Sequence, residues 1–107
     1  MKDGIYFVKF NSNIQDSGDG TVVVKNGVVN GGDHGFTYQG KIDNNCLKLS
    51  AKQHDKNVTS VFGNITNYEI ALHINPIGND YELVGKTDLA PGVIIQVQAK
   101  FIGELLI

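Results

Sequence analysis

Thr21-Val22-Val23-Val24-Lys25-Asn26-Gly27-Val28-Val29 decides the fold. Valine is branched at Cβ and favours extended backbone. Asn-Gly between two such runs supplies the pair of positive-φ positions that a type I′ turn demands. The stretch reads as an antiparallel hairpin, and the same punctuation recurs on either side of it. Asn44-Asn45 separates Ile42 from Cys46, and Gly78-Asn79 separates the runs around Tyr68 and Tyr81. Pro91-Gly92 fits the central positions of a type II turn ahead of the last run. Gly31-Gly32-Asp33-His34-Gly35 marks a loop or bulged corner.

Between the turns the apolar residues keep a period of two. Leu47, Leu49 and Ala51 alternate with Lys48, Ser50 and Lys52. Tyr68, Ile70, Leu72 and Ile74 oppose Glu69, His73 and Asn75, and Val93, Ile95, Val97, Ala99 and Phe101 oppose Gln96, Gln98 and Lys100. One apolar face and one wet face per strand belong to an antiparallel sheet. The strands are expected at 4–10, 19–25, 28–31, 36–42, 46–53, 67–75, 80–87 and 93–102. Val58, Val61 and Phe62 have helical spacing, so one short helix around 57–64 is the single helical candidate. Eight short strands joined mostly by hairpins predict an all-β, antiparallel up-and-down barrel. Its first strand would pair with its last and remove both edges.

The 107 residues suffice for a single domain, 1–107. Net charge is −2 and all nine basic residues are lysines, so nucleic acid is not an expected partner. No apolar run approaches the ~20 residues that cross a bilayer, and Ile5 to Phe10 is too short for a secretory core. One cysteine, Cys46, excludes an internal disulfide framework and suits a reducing compartment. The expected location is the cytoplasm, without membrane attachment.

Chemistry finds little purchase. His34, His54 and His73 have no chelating spacing, so no metal or other cofactor is expected. Asp16-Ser17-Gly18-Asp19-Gly20 resembles the start of a calcium loop, but glycines stand where oxygen ligands belong, and the segment reads as a flexible loop before the Thr21 strand. No serine has the nucleophile elbow, and Cys46 is expected to point inward as a small hydrophobe. An enzyme is not expected. A small barrel can hold an apolar ligand, and Phe36, Tyr38, Tyr68, Tyr81 and Phe101 are the candidates to line its interior.

Two features point outward instead. Val22-Val23-Val24 and Val93-Ile94-Ile95 are apolar on both faces, which offers Val23 and Ile94 as contacts between two copies of the chain. Leu105-Leu106-Ile107 is an apolar ending that either extends the closing strand over its own core or packs on a second subunit.

Met1-Lys2-Asp3-Gly4-Ile5-Tyr6, Gly18-Asp19-Gly20, Lys25-Asn26-Gly27, Gly31-Gly32-Asp33, Tyr38-Gln39-Gly40 and the closing Ala99-Lys100-Phe101-Ile102 resemble the GrlR-type family, negative regulators of type III secretion genes. The resemblance covers the first forty residues and the last strand. It implies a lipocalin-like barrel that dimerises and represses by sequestering a transcriptional activator, without catalysis or DNA contact. It also implies a partner-binding loop after the Tyr-Gln-Gly strand, rich in acids in the family. Here that loop is Asp43-Asn44-Asn45, with one acid, and it is also a good hairpin turn. The two function classes predict different interiors: a hollow of several hundred Å³ for a ligand carrier, a filled one for a surface-acting regulator.

Overall fold

The computed structural model describes residues 1–13, 16–58, 66–86 and 91–106, with the side chains of Asp16 and Ser17 excepted. Eight strands follow one another: β1 (Gly4–Ser12), β2 (Asp16–Lys25), β3 (Val28–Gly32), β4 (Phe36–Asp43), β5 (Cys46–Gln53), β6 (Asn67–Ile77), β7 (Asp80–Lys86) and β8 (Ile94–Gly103). Each pairs antiparallel with the next, and β8 pairs with β1 to close the barrel. The seam runs from Ile5 opposite Gly103 to Ser12 opposite Ile95. No strand is left with an unpaired edge.

Turn chemistry sets the register. Asn26 and Gly27 have φ of 52° and 76°, and Asn44 and Asn45 have 51° and 62°, as two type I′ turns require. At the Gly78-Asn79 turn only Gly78 is positive. Gly92 is positive as the third residue of the Pro91 turn should be. These turns put β2–β3, β4–β5 and β6–β7 hairpins at one end of the barrel, with the N-terminal residues; that is the hairpin end. The Asp33–Gly35 turn, residues 54–58 and the Pro91-Gly92 turn lie at the other, the loop end.

Two expectations change here. Asp16 to Gly20 belong to β2: Asp19 pairs with Lys9 and Gly20 with Val8. The long apolar β1 presents ladder partners to a segment whose own composition reads as loop. Cys46 has the outward parity of β5, beside the inward Leu47, and is half-buried; strand alternation overrides the inward placement expected from its residue type. Of the helix expected over 57–64, Asn57 and Val58 stand in a turn anchored on Asp55, and 59–65 lie outside the described residues. No helix forms among the described residues.

The interior is apolar and layered. Tyr6, Val8, Phe10, Val22, Val24, Leu72, Ile95 and Val97 are buried. Gly31, Gly40 and Gly85 occupy inward positions. A Cβ at Gly85 would be driven into the Ala71 carbonyl oxygen, and one at Gly31 into that of Thr21. Glycine there lets neighbouring strands coil tightly enough for eight of them to close.

Candidate functional site

The state of the interior decides where function can sit. Phe36, Tyr38 and Tyr68 are buried at the loop end. Phe10 stacks on Tyr38 across the lumen with ring centroids 4.8 Å apart, and Phe36 meets Tyr68 at 6.0 Å. Tyr81 and Phe101 are half-buried at the hairpin end, where each packs edge-on to Tyr6. The five aromatics expected to line one pocket thus form two plugs at opposite ends. Between them, a void of about 20 Å³ touches Met1, Val8, Phe10, Leu47, Leu72 and Val97. That is room for about one water.

Both mouths of the barrel are tied down. At the hairpin end the Tyr6 hydroxyl donates to the Lys2 carbonyl at 2.7 Å, and Lys2 Nζ sits 4.0 Å over the Phe101 ring. The Asn26 amide donates to Asp3 Oδ1 at 2.9 Å. At the loop end Asp33 Oδ1 accepts the Gly35 and Phe36 amides at 2.8 and 2.7 Å, and its Oδ2 accepts the Tyr38 hydroxyl at 2.5 Å. The His54 ring nitrogen Nε2 lies 2.9 Å from the Asp33 carbonyl, to which it donates. Val58 packs so closely over Gly35 that a side chain at 35 would displace it.

These surroundings hold the interior tyrosines protonated. Burial pushes the Tyr38 hydroxyl far above the ordinary phenol value, and the hydrogen bond to Asp33 adds to it. Burial raises Tyr68, helped by the Asp33 charge, and burial raises Tyr6, helped by Tyr81. Such groups act as structural donors rather than acid–base catalysts near neutral pH. Among the described residues, no cluster of three or more His, Cys, Asp or Glu could hold a metal ion. Among the described residues there is no helix long and apolar enough to cross a membrane.

Outward positions differ around the circumference. On β8–β1–β2 several outward residues near the hairpin end are apolar, with Lys25 and Lys100 exposed beside them. Ile5 is half-buried and faces Val23 on one side and Gly103 on the other. Phe7 follows two positions on, between Thr21 and Lys100. Ile102 is squeezed out by a bulge where the β1–β8 register shifts, and is 54% exposed. Val23 is 36% exposed. Ile94, at the far end of the seam beside Asn13, is some 25 Å from Val23 by strand rise. The two expected contact residues therefore do not share a patch. β8 ends at Gly103, so the tail does not prolong the ladder; Leu105 is half-buried, Leu106 is fully exposed, and Ile107 lies outside the described residues. Asp43, Asn44 and Asn45 form the exposed β4–β5 turn, where the Asn45 carbonyl accepts the Ile74 amide at 2.8 Å.

Sequence reasoning missed Ile5, Phe7 and Ile102 as surface residues. Compared with known protein families, the chain matches GrlR, described as the T3SS negative regulator, over residues 1–105. The chain belongs to the GrlR family. Its closed eight-stranded barrel agrees with the fold that the quoted motifs implied. A search of curated proteins finds no match to it. For this GrlR-family chain, T3SS negative regulation is the family's role, carried on a barrel whose Asp43-Asn44-Asn45 turn has a single acid.

Proposed function

We propose that the protein represses type III secretion genes by binding a transcriptional activator and holding it away from its target, as a homodimer in the cytoplasm and without catalysis. The observation that carries this reading is the close packing of the lumen among the described residues, where Phe10 stacks on Tyr38 and Phe36 meets Tyr68. A void of about 20 Å³ is far below the ~300 Å³ at which small-molecule sites begin. An apolar-ligand carrier is therefore the less supported alternative, and the outer surface is left to act. The outward cluster of Ile5, Phe7, Val23 and Ile102 supports the homodimer, because apolar side chains gathered on one exposed face mark contacts. Leu105 and Leu106 follow β8 directly and extend the same reading to the tail.

The test is affinity capture of the tagged chain from a bacterium with a type III secretion system, with the bound proteins identified by mass spectrometry. The expected result is a transcriptional activator of secretion genes, at the same yield for wild type and for variants inside the barrel that keep the fold. A chain that retains no activator sinks the sequestration reading. Asp43→Lys isolates the β4–β5 turn: a several-fold drop in recovered activator makes the turn a contact, and unchanged recovery removes it.

A further inference from the structure

Four lysines project outward from the half of the barrel made by β4 to β7: Lys41, Lys48, Lys52 and Lys86 are all exposed. Three of them fall on one line across the strands. Lys41 on β4 is directly opposite Lys48 on β5; Lys48 is opposite Ala71 on β6; Ala71 is opposite Lys86 on β7. Like charges directly opposite one another weaken a sheet, and Lys41 and Lys48 are such a pair. Among the described residues no ion pair relieves Lys41, Lys48 or Lys86. A positive row thus stands on a chain whose net charge is −2.

The surface under the row is hollowed. Ala71 is the one short side chain in the row, and an open trough of about 490 Å³ lies over it, between Lys48 and Lys86 and bordered by Ser50 and Glu69. His73 follows Ala71 on the same outward face of β6 toward the hairpin end, opposite Cys46 and Val84. Glu69 borders the side away from His73. Strands lie ~4.8 Å apart, so Lys41 to Lys86 spans about 14 Å. An extended chain advances about 6.7 Å per two residues, and carboxylates at alternate positions i, i+2 and i+4 cover that span.

We propose that the β4–β7 wall is a docking surface for an extended acidic protein segment, with carboxylates at alternate positions reaching Lys41, Lys48 and Lys86. This rests on the reading of the protein as a regulator that works by protein binding, and it adds the chemistry of the partner. Complementary charge sets the encounter and the register of such a contact, and its strength falls with salt.

The probe is a nine-residue peptide alternating glutamate and serine, titrated into the ¹⁵N-labelled protein. Amide shifts are expected around Lys41, Lys48, Ala71 and Lys86. Lys48→Glu with Lys86→Glu should raise the dissociation constant at least tenfold, while Lys9→Glu with Lys25→Glu on the opposite wall changes it less than twofold. Equal binding of the glutamine version, shifts centred on another wall, or tighter binding of a single-stranded oligonucleotide of matched charge overturns the proposal. A reporter for type III secretion genes separates it from the reading beneath it. Repression by wild type and its loss in the Lys48→Glu, Lys86→Glu variant support the wall; equal repression by both overturns the wall and leaves the regulator intact. Absence of repression by wild type overturns the regulator reading, and the peptide titration then decides the wall alone.

Discussion

The β8–β1–β2 wall and the β4–β7 wall are alike inside and different outside. Inward, both present the same alternation of buried aliphatic and aromatic residues, Val8 and Val22 on one, Leu49 and Leu72 on the other. Outward, the first gathers Ile5, Phe7, Val23 and Ile102 beside Lys9, Lys25 and Lys100, whereas the second carries Lys41, Lys48, Lys52 and Lys86 with the acids Asp43, Glu69 and Glu82. A strand's two faces are chemically independent, so the inner set can be fixed by closure while the outer set varies with what each wall meets. The difference shows two walls that share one core and present different chemistry to their surroundings.

The sharpest way to break that division is to cut the link between the walls. Phe10 on β1 and Tyr38 on β4 stack across the lumen. Phe10→Ala should cost ~3–5 kcal/mol, read as a lowered urea midpoint with one cooperative transition reporting both walls. Two separated transitions would mean that the walls are independent units.

A smaller effect is expected at the other half of the stack. Tyr38→Phe removes the hydroxyl that Asp33 accepts, and a loss of ~1–2 kcal/mol follows at neutral pH. Its pH profile carries the sign. Tyr38 has its pKa raised in the fold by burial and by Asp33, so the stability it contributes is complete below the unfolded phenol value of ~10 and declines as pH rises beyond it. The Phe variant should therefore lose less stability than wild type between about pH 10 and 12, measured by urea unfolding at each pH. Tyrosinate absorbance from Tyr6, Tyr38 and Tyr68 should appear together with loss of the β-sheet signal. A parallel pH dependence in variant and wild type would refute the assignment.

The smallest change in stability, within ~0.5 kcal/mol, is expected for Val23→Lys on the apolar wall. Sedimentation velocity at micromolar concentration should nonetheless convert a dimer into the 11.6 kDa chain. Wild type that sediments only at that mass removes the homodimer.

What was legible in the sequence follows from these faces. Asn26-Gly27 and Asn44-Asn45 dictate backbone signs that few other residues accept, so their hairpins and registers could be read directly. The same turns make Lys41 and Lys48 equidistant from one corner, and Ala71 and Lys86 from another, so half of the lysine row was readable too. Lys48 opposite Ala71 was not, because β5 ends at Gln53 and β6 begins at Asn67, too far apart in sequence for a hairpin turn to dictate their register. Ile5-Tyr6-Phe7-Val8 is apolar without interruption, so alternation gives it no inside; only pairing with β2 and β8 turns Tyr6 in and Phe7 out. Val23 and Ile94 looked alike for the same reason, and the register across β1 places them at opposite ends. The fullness of the lumen depends on how the aromatic rings meet across it, which strand periodicity does not encode.

The seam between β1 and β8 also sets a timetable. About ninety residues separate these partners, so on a ribosome adding ~5–20 residues per second the opening segment waits several seconds for the one that completes it. Throughout that wait Ile5-Tyr6-Phe7-Val8 has β2 on one side and an open, sticky edge on the other, of the kind that recruits copies of itself. A nascent chain of this design depends on early hairpins to shelter its own beginning, and a stop codon before residue 94 would release a product prone to aggregate rather than a smaller working protein.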